Sequence, residues 1–557
     1  MVDGQDRVRR RMREITRRDF LEGVLIGAAG LGAGSLLFGC DKAADAGAAD
    51  SGGGTPLVIP PGADRGDKWD LCHALRDGQT WATPEPDGPL LDCVIVGGGI
   101  SGLVAGWRLR KSGVDDLLIL EKEARPGGLS RRDDAPPHSF SQATAYTVFP
   151  YNDSLIELYT DLGAITGTDD EGEPIVDPKF LAKAPANNAW MEGTWVEDAW
   201  EEGMDKVPRP PKVVEELKAF RDAMKEFYDY EGADGAAGFD TPSDASTTDP
   251  EIRALDEVTL AEWVASKGWD PRVSEFWDPY ARSAFGTTHD RLSCWAAINF
   301  LGSEFLPILT QPGGNAWIAE KLEELVGSER IRTSAFVTRI ANVDGEVHVT
   351  YLLDGEPVTV RARRAIFAAP RFTARRLVPE LAAVAGRDEQ THFRYTPYIV
   401  AQIHVTRTPK ELGYDTWFYG DTFFTDIIVA DWTAHTDPAN ASEGRPNVLT
   451  AYCPRLESGA RKAMLTTPMD EYVAAILGDL ERVLPGIVES VTAVDIYRWG
   501  HAMLAPERGF VFGEARVGAQ LPQGAIHFAN TDVDGLPAFE NAVAAAVRAA
   551  DEVTAAI

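Results

Sequence analysis

The sequence predicts an α/β fold in which a parallel-sheet domain is interleaved along the chain with a second, α+β domain. Three observations predict it. The apolar run Leu91-Asp92-Cys93-Val94-Ile95-Val96 opens directly into Gly97-Gly98-Gly99-Ile100-Ser101-Gly102. A second apolar run, Leu117-Leu118-Ile119-Leu120, closes on an acid, Glu121. Further strand-like runs, Ala365 to Pro370 and Ile526 to Asp532, lie far down the chain. At 557 residues the chain exceeds what one compact core usually holds.

Each element has a local reason. A short, wholly apolar run is expected of a parallel strand buried on both faces. Cys93 within it reads as a buried small residue. Gly97, Gly99 and Gly102 satisfy the GxGxxG spacing. The first glycine permits a tight turn, the second lets backbone approach a pyrophosphate, and the third lets helix and strand pack closely. The helix that follows runs through Leu103, Trp107 and Leu109 and is expected to stop near Gly113. Its N-terminus offers the positive end of the helix dipole to phosphate. Glu121 lies about twenty positions past the glycines, where a ribose hydroxyl pair needs an acceptor. Strand, glycines, helix, strand and acid in this order predict a Rossmann-like dinucleotide site.

Composition narrows the partners. Hydrophobic content of 44% and charged content of 25% are ordinary for a globular protein. The formal net charge of −32 argues against nucleic-acid binding. Its plainer reading is solubility or a saline habitat, and attraction of a cationic substrate is the other. The five cysteines, Cys40, Cys72, Cys93, Cys294 and Cys453, form no CxxC, so neither a zinc site nor c-type haem attachment is expected, and no metal is assigned.

Residues 1–40 read as an export leader. Arg7, Arg9, Arg10, Arg11 and Arg13 make a basic start, and Thr16-Arg17-Arg18-Asp19-Phe20-Leu21 resembles the twin-arginine motif. The apolar stretch Gly23 to Phe38 covers roughly 24 Å as a helix, short of a ~30 Å hydrocarbon core. Leu37-Phe38-Gly39-Cys40 resembles a lipoprotein cleavage box, which makes Cys40 the lipidation residue. A plain membrane anchor and an arginine-rich tail are the other readings. Asp41 to Thr55 is small, polar and glycine-rich, and residues 41–68 are expected to be a tether. The implied location is extracytoplasmic or periplasmic, lipid-anchored at the inner membrane.

The residues after Glu121 carry a family resemblance. Glu121-Lys122-Glu123-Ala124-Arg125-Pro126-Gly127-Gly128, followed by Leu129, resembles the segment after the second strand in the flavin amine oxidase superfamily. That superfamily includes monoamine and polyamine oxidases, protoporphyrinogen oxidase and phytoene desaturases. The resemblance extends over Gln142 to Gly163, Gln311-Pro312-Gly313-Gly314 and Phe336-Val337-Thr338-Arg339-Ile340. It continues through the hairpin strand Val347 to Tyr351 and ends at Ile526-His527-Phe528-Ala529-Asn530-Thr531-Asp532. It implies non-covalent FAD, held by Gly97, Gly98, Gly99, Ile100, Ser101, Gly102, Glu121, Lys122, Gly127, Gly128, Leu129, Val337 and Asp532. Asn530 and Asp532 depart from the glycine and glutamate usual in the last motif. An alanine-rich helix is expected over Gly535 to Ala550.

The domains expected are 69–149, 304–370 and 495–557 for FAD, and 150–303 with 371–494 for substrate. The first substrate stretch is mostly helical by pattern: Ser154 to Leu162, Val213 to Tyr230 and Thr259 to Lys267. Thr259 with Glu262 makes a capping box. Ala236 to Pro250 is a polar loop, and strands are expected at Tyr398 to Val405 and Thr425 to Ala430. Trp190 to Asp205 mixes tryptophans and acids, and reads either as a vestibule for a cationic amine or as a packed, solvated segment.

Arg498-Trp499-Gly500-His501-Ala502-Met503 resembles the segment near the flavin ring in amine oxidases, and is especially similar to the spermidine dehydrogenases. Ile15 to Leu21 and Cys72 to Gly78 share that similarity. Trp499 is expected to shape an apolar slot, and His501 to act as a base, to orient substrate, or to make a structural hydrogen bond. The lysine that many family members carry on the strand matching Tyr398 to Val405 is absent; Gln402 and His404 are the candidates to replace it. The resemblance implies an amine dehydrogenase or oxidase that passes electrons to a quinone, a cytochrome or oxygen. A desaturase acting on an apolar lipid and a non-catalytic flavin-binding lipoprotein are the alternatives.

Overall fold

Two sheets organise the chain in this computed structural model, which describes residues 58–557 except 67, 171, 183–185, 305, 384–392 and 433–443. The leader motif at Arg17 and Arg18, the lipidation residue Cys40 and the tether up to residue 57 lie outside the described residues.

The first sheet has seven strands. Its parallel centre joins Ile331–Arg332, Leu117–Leu120, Leu90–Val96 and the end of Glu356–Phe367, with Ile526–Phe528 added beside the last. The antiparallel strands Glu346–Leu353 and Phe336–Val343 complete it. Cys93, Val94 and Ile95 are wholly buried, as a strand covered on both faces requires. One cover is the helix Ile100–Lys111, which ends at Ser112 and Gly113, the latter in the left-handed region that favours glycine. The C-terminal helix packs on it. That helix is Phe539–Ala556, starting four residues later than the expected Gly535, after a single 3-10 turn at Thr531–Val533.

The second sheet has eight strands. In order they are Asp64–Gly66, Val491–Leu504, Tyr395–Val405, Asn447–Pro454, Asp426–Val429, Asp415–Tyr419, Asn187–Met191 and Thr194–Val196. Two sequence boundaries move. Val491–Leu504 hydrogen-bonds in this sheet, so residues 495–504 belong with the substrate domain and not with the nucleotide domain. Asp64–Gly66 pairs in parallel with Ile496–Arg498, so the segment expected to be tether up to residue 68 is already strand. Asp64 is clamped there by both guanidinium arms of Arg498, at 2.8 and 2.5 Å.

Helices back one side of the second sheet. Pro211–Tyr228, Leu260–Ser266, Asp278–Phe285 and Cys294–Ser303 enclose an aromatic core of Phe220, Trp263, Trp277, Tyr280 and Trp295. The Thr259–Glu262 capping box forms as expected, with reciprocal bonds of 2.9 and 3.1 Å. Trp190 to Asp205 is a hairpin and turns; Trp200 is buried and stacks on Trp417 at 4.8 Å, so the packed reading holds there. Among the described residues, no helix is long and apolar enough to cross a membrane.

Candidate active site

The glycine turn and its neighbours form a cradle. Gly97 has φ +106°, and its N–H bonds to the Leu120 carbonyl at 2.9 Å. A Cβ on Gly102 would lie 1.9 Å from the Gly97 oxygen, so only glycine lets the helix start there. Gly99 is the N-cap and makes no side-chain cap hydrogen bond, which leaves the first-turn N–H groups for an anion. Ile100 packs on the core beneath and Ser101 is buried.

The second glycine pair closes on the first. Gly127 donates to the Gly98 carbonyl at 2.7 Å, and a Cβ on Gly128 would sit 3.0 Å from the Gly99 Cα. Only a thin ligand backbone passes between such segments. Glu121 is buried, and its two oxygens accept the N–H groups of Gly98 and Glu123 at 2.7 and 2.8 Å. Each oxygen keeps a lone pair for a ribose hydroxyl. Burial raises the Glu121 pKa, against which the two backbone N–H groups act. Val337 is two residues past Ala335, which donates to the Glu121 carbonyl at 2.8 Å. Lys122 differs from expectation: its ammonium turns to Glu123 at 2.5 Å and to the Lys68 carbonyl at 3.3 Å. Asp532 accepts the Arg371 N–H and the Tyr395 hydroxyl, both at 2.8 Å, just past the strand Ile526–Phe528. Strand ends from both parts of the chain therefore meet at Gly97, where open α/β sheets bind ligands.

A cavity of about 250 Å³ continues from this cradle. Leu129, Thr144, Trp499 and Ala538 line the end beside the glycines. Trp499 is 3% exposed, donates its indole N–H to the Gln142 carbonyl at 3.3 Å, and has the Arg131 guanidinium 5.8 Å from its ring. Tyr228, Phe239, Tyr280 and Glu304 line the far part. Tyr280 donates to Glu304 at 2.9 Å, and Glu304 also borders a small second void beside Trp277.

Four carboxylates border this space: Glu304, Asp415, Asp426 and Glu540. Burial pushes the Asp426 pKa up to about 7, with the Thr425 and Ser283 hydroxyls pulling the other way. Burial likewise raises Glu540, which accepts from the Thr147 hydroxyl at 2.5 Å. No local pattern marks these four among 86 acidic residues. They converge only through tertiary structure, which is why the sequence did not reveal them.

The other candidate residues lie outside the cavity lining. Val400 lines the cavity on the strand where the lysine was sought. Gln402, two residues on, instead donates to the Ser141 carbonyl at 2.7 Å and accepts from Thr450 at 2.8 Å. His404 faces Asp495 at 3.4 Å and Phe140. Neither replaces the lysine within the cavity lining. His501 also lies outside that lining. Trp499 pairs with Tyr398 and Met503 with Thr396, so Pro397 alone faces three residues, Gly500 to Ala502. The resulting bulge re-aims His501 onto Phe372, with ring centroids 4.1 Å apart. Burial and the positive charges of Arg461, His73 and Arg76 hold its pKa near 3. A neutral ring on Phe372 gives no geometric support to a base role.

A glycine cradle, a buried acid hydrogen-bonded to it and a cavity bordered by Leu129, the residue after Gly128, are the parts of a dinucleotide-binding oxidoreductase fold. The chain belongs to the flavin containing amine oxidoreductases: the model of that family matches residues 100–554. It is thus an FAD-dependent oxidoreductase. Chloroplastic protoporphyrinogen oxidase of Oryza sativa subsp. japonica is 37% identical over 73 residues, which is 13% of this chain and 14% of that protein. Among solved structures, cyclohexylamine oxidase from Brevibacterium oxydans IH-35A superposes with a TM-score of 0.61 at 18% identity, covering 84% of this chain and 99% of that one. Putrescine oxidase bound to putrescine gives 0.61 at 21%, covering 84% and 99%. A fatty acid isomerase from P. acnes gives 0.58 at 15%, covering 84% and 98%. At these identities the likeness concerns the fold.

Proposed function

We propose that the protein oxidises a cationic amine. The observation that carries this reading is the set Glu304, Asp415, Asp426 and Glu540 around one aromatic-lined cavity. Burying carboxylates is costly unless a cation or hydrogen bonds compensate them. A polyene or fatty chain offers these carboxylates nothing beyond the hydrogen bonds they already accept, so an apolar lipid fits poorly. A protonated amine adds a matching charge, and Tyr228, Tyr280 and Phe239 add cation–π faces and apolar walls.

FAD, when bound, accepts hydride at N5 from the carbon bearing the amine. The chain's own residues do the rest. Gly97 to Gly102 and Glu121 hold the nucleotide end. Trp499, fixed by Gln142, walls the reacting end against water. Glu304, held by Tyr280, anchors positive charge away from it. The reacting nitrogen must lose its proton before hydride leaves, and the imine product hydrolyses after release. The described cysteines, Cys72, Cys93, Cys294 and Cys453, form no disulfide among the described residues and none borders the cavity, which fits non-covalent FAD.

The test is anaerobic reduction of purified holoprotein by a panel of polyamines, monoamines and polyenes. Bleaching of the flavin absorbance by amines alone supports the reading. Bleaching by polyenes alone overturns it, and no bleaching by any member points to a binding protein without turnover. Twin-arginine export and lipidation at Cys40 belong to the same proposal, supported by the leader's residues. Replacing Arg17 and Arg18 by lysine should hold the protein in the cytoplasm; unchanged export would exclude that route.

A further inference from the structure

Hydride taken into a flavin must leave again, and the bulge beside the cavity indicates where. His501 is two residues from Trp499, so their Cα atoms are at most about 7.6 Å apart. Trp499 borders the cavity, while His501 lies outside its lining and stacks on Phe372. Around it the surface changes sign. Arg461 spends its guanidinium on the carbonyls of Gly500, at 2.7 Å, and of Tyr395. Arg376 donates to the carbonyl of Arg76 at 3.0 Å. Carbonyl partners leave the charges of Arg461 and Arg376 unneutralised, whereas Arg76 pairs with Asp77 at 2.7 Å. All three arginines are exposed, as is Lys462 next to Arg461. The depressed pKa of His501, caused after burial by Arg461, His73 and Arg76, reports the same positive field. Such a field is unusual on a chain of net charge −32.

Exposed apolar side chains lie beside it. Trp69 is 44% exposed and Leu71 42% exposed, and the Trp69 ring packs tilted against His73 with centroids 4.7 Å apart. An aromatic anchor beside exposed arginines is the composition of a protein-binding patch. A lipid surface would use the charge and the tryptophan, but has no need of proximity to Trp499.

We propose that the face around Arg76, Arg376, Arg461 and His501 is where the electron acceptor docks, and that this acceptor is an acidic one-electron carrier protein. The reaction balances: the reduced flavin gives up two electrons and one proton, and two carriers each take one electron. The proposal rests on the flavin chemistry proposed above, but only on the flavin being reducible.

The test therefore starts from holoprotein reduced anaerobically with dithionite, so that a wrong amine assignment does not affect it. Reoxidation is followed by stopped flow with plastocyanin as an acidic carrier, cytochrome c as a basic carrier and a neutral benzoquinone. The wild type should react at least about tenfold faster with plastocyanin at low salt than at physiological salt, as charge steering requires. Arg76→Glu/Arg376→Glu/Arg461→Glu should lose that advantage and keep the benzoquinone rate. Arg76→Glu/Lys462→Glu, which leaves the Arg461 contacts intact, should show a smaller loss in the same direction. Faster reaction of the wild type with cytochrome c overturns the proposal. So does an equal fall in the benzoquinone rate, which would place the effect at the flavin. Binding to phosphatidylglycerol vesicles that the variants lose, with unchanged plastocyanin rates, would make the face a membrane contact and overturn it too.

Discussion

Gly98 donates its backbone N–H to one oxygen of Glu121 at 2.7 Å, while Glu123 donates to the other at 2.8 Å. The turn that faces phosphate and the acid that faces ribose are thus one hydrogen-bonded unit. Glu121→Gln should break it, because the new amide nitrogen meets an N–H instead of accepting from one. A buried donor left unmatched costs about 1–3 kcal/mol. FAD affinity should fall by about ten- to a hundredfold, measured by flavin fluorescence during reconstitution of apoprotein.

The third glycine gives a sharper test. Gly102→Ala would place Cβ 1.9 Å from the Gly97 oxygen, a backbone atom that cannot step aside without opening the turn. The variant should purify nearly free of flavin, read from the ratio of absorbance at about 450 nm to that at 280 nm. Retention of full flavin would show that the turn is not the nucleotide site.

Much of this cradle was legible in the sequence because its constraints are local. A glycine spacing, a short apolar strand and an acid at a strand end each follow from backbone geometry within a few dozen residues. The helix from Ile100, the Thr259–Glu262 cap and the strand past Tyr398 were legible for the same reason. The cavity was not. Glu304, Asp415, Asp426 and Glu540 come from four separate segments and share no pattern. The displacement of His501 depends on a bulge opposite Pro397, a register effect between strands about a hundred positions apart, which no periodicity within either strand reports.

That bulge separates the roles of two neighbours. Trp499→Ala empties a site that is 3% exposed and borders the cavity. It should cost about 3–5 kcal/mol of stability and slow flavin reduction by substrate sharply. His501→Phe keeps the stack on Phe372 and should change that reduction rate by no more than about twofold. Because the His501 pKa lies near 3, its loss should remove no limb from the pH profile between pH 5 and 9. Loss of a limb near neutrality would restore His501 as a catalytic base.

Glu304 tests the charge reading of the far end. Glu304→Gln keeps an acceptor for Tyr280 but removes the negative charge. A charge-assisted hydrogen bond contributes about 1.5–3 kcal/mol, so KM for a diamine should rise by roughly ten- to a hundredfold. For a monoamine that does not reach Glu304 the change should be slight. Equal changes for both would mean that the residue shapes the cavity without binding charge.

Asp426 makes the remaining prediction, through pH. Its pKa stands at about 7 because burial disfavours the carboxylate, so the group is neutral in acid and charged in mild alkali. Attraction for a cationic substrate should therefore strengthen as pH rises through 7, and KM should fall over that interval. Stability moves the other way. Between its ordinary value of 3.8 and about 7, the folded protein holds a proton that the unfolded chain has released. The folded state then binds more protons, and stability declines as pH rises across that window. Asp426→Asn stays uncharged throughout, so it should flatten both trends, raising KM at pH 8 while increasing thermal stability there relative to the wild type. KM and the midpoint of thermal unfolding, each measured from pH 5 to 8.5 for both proteins, check the two signs independently. A variant that keeps the wild-type pH dependence of KM would show that the titrating group near neutrality is elsewhere in the cavity.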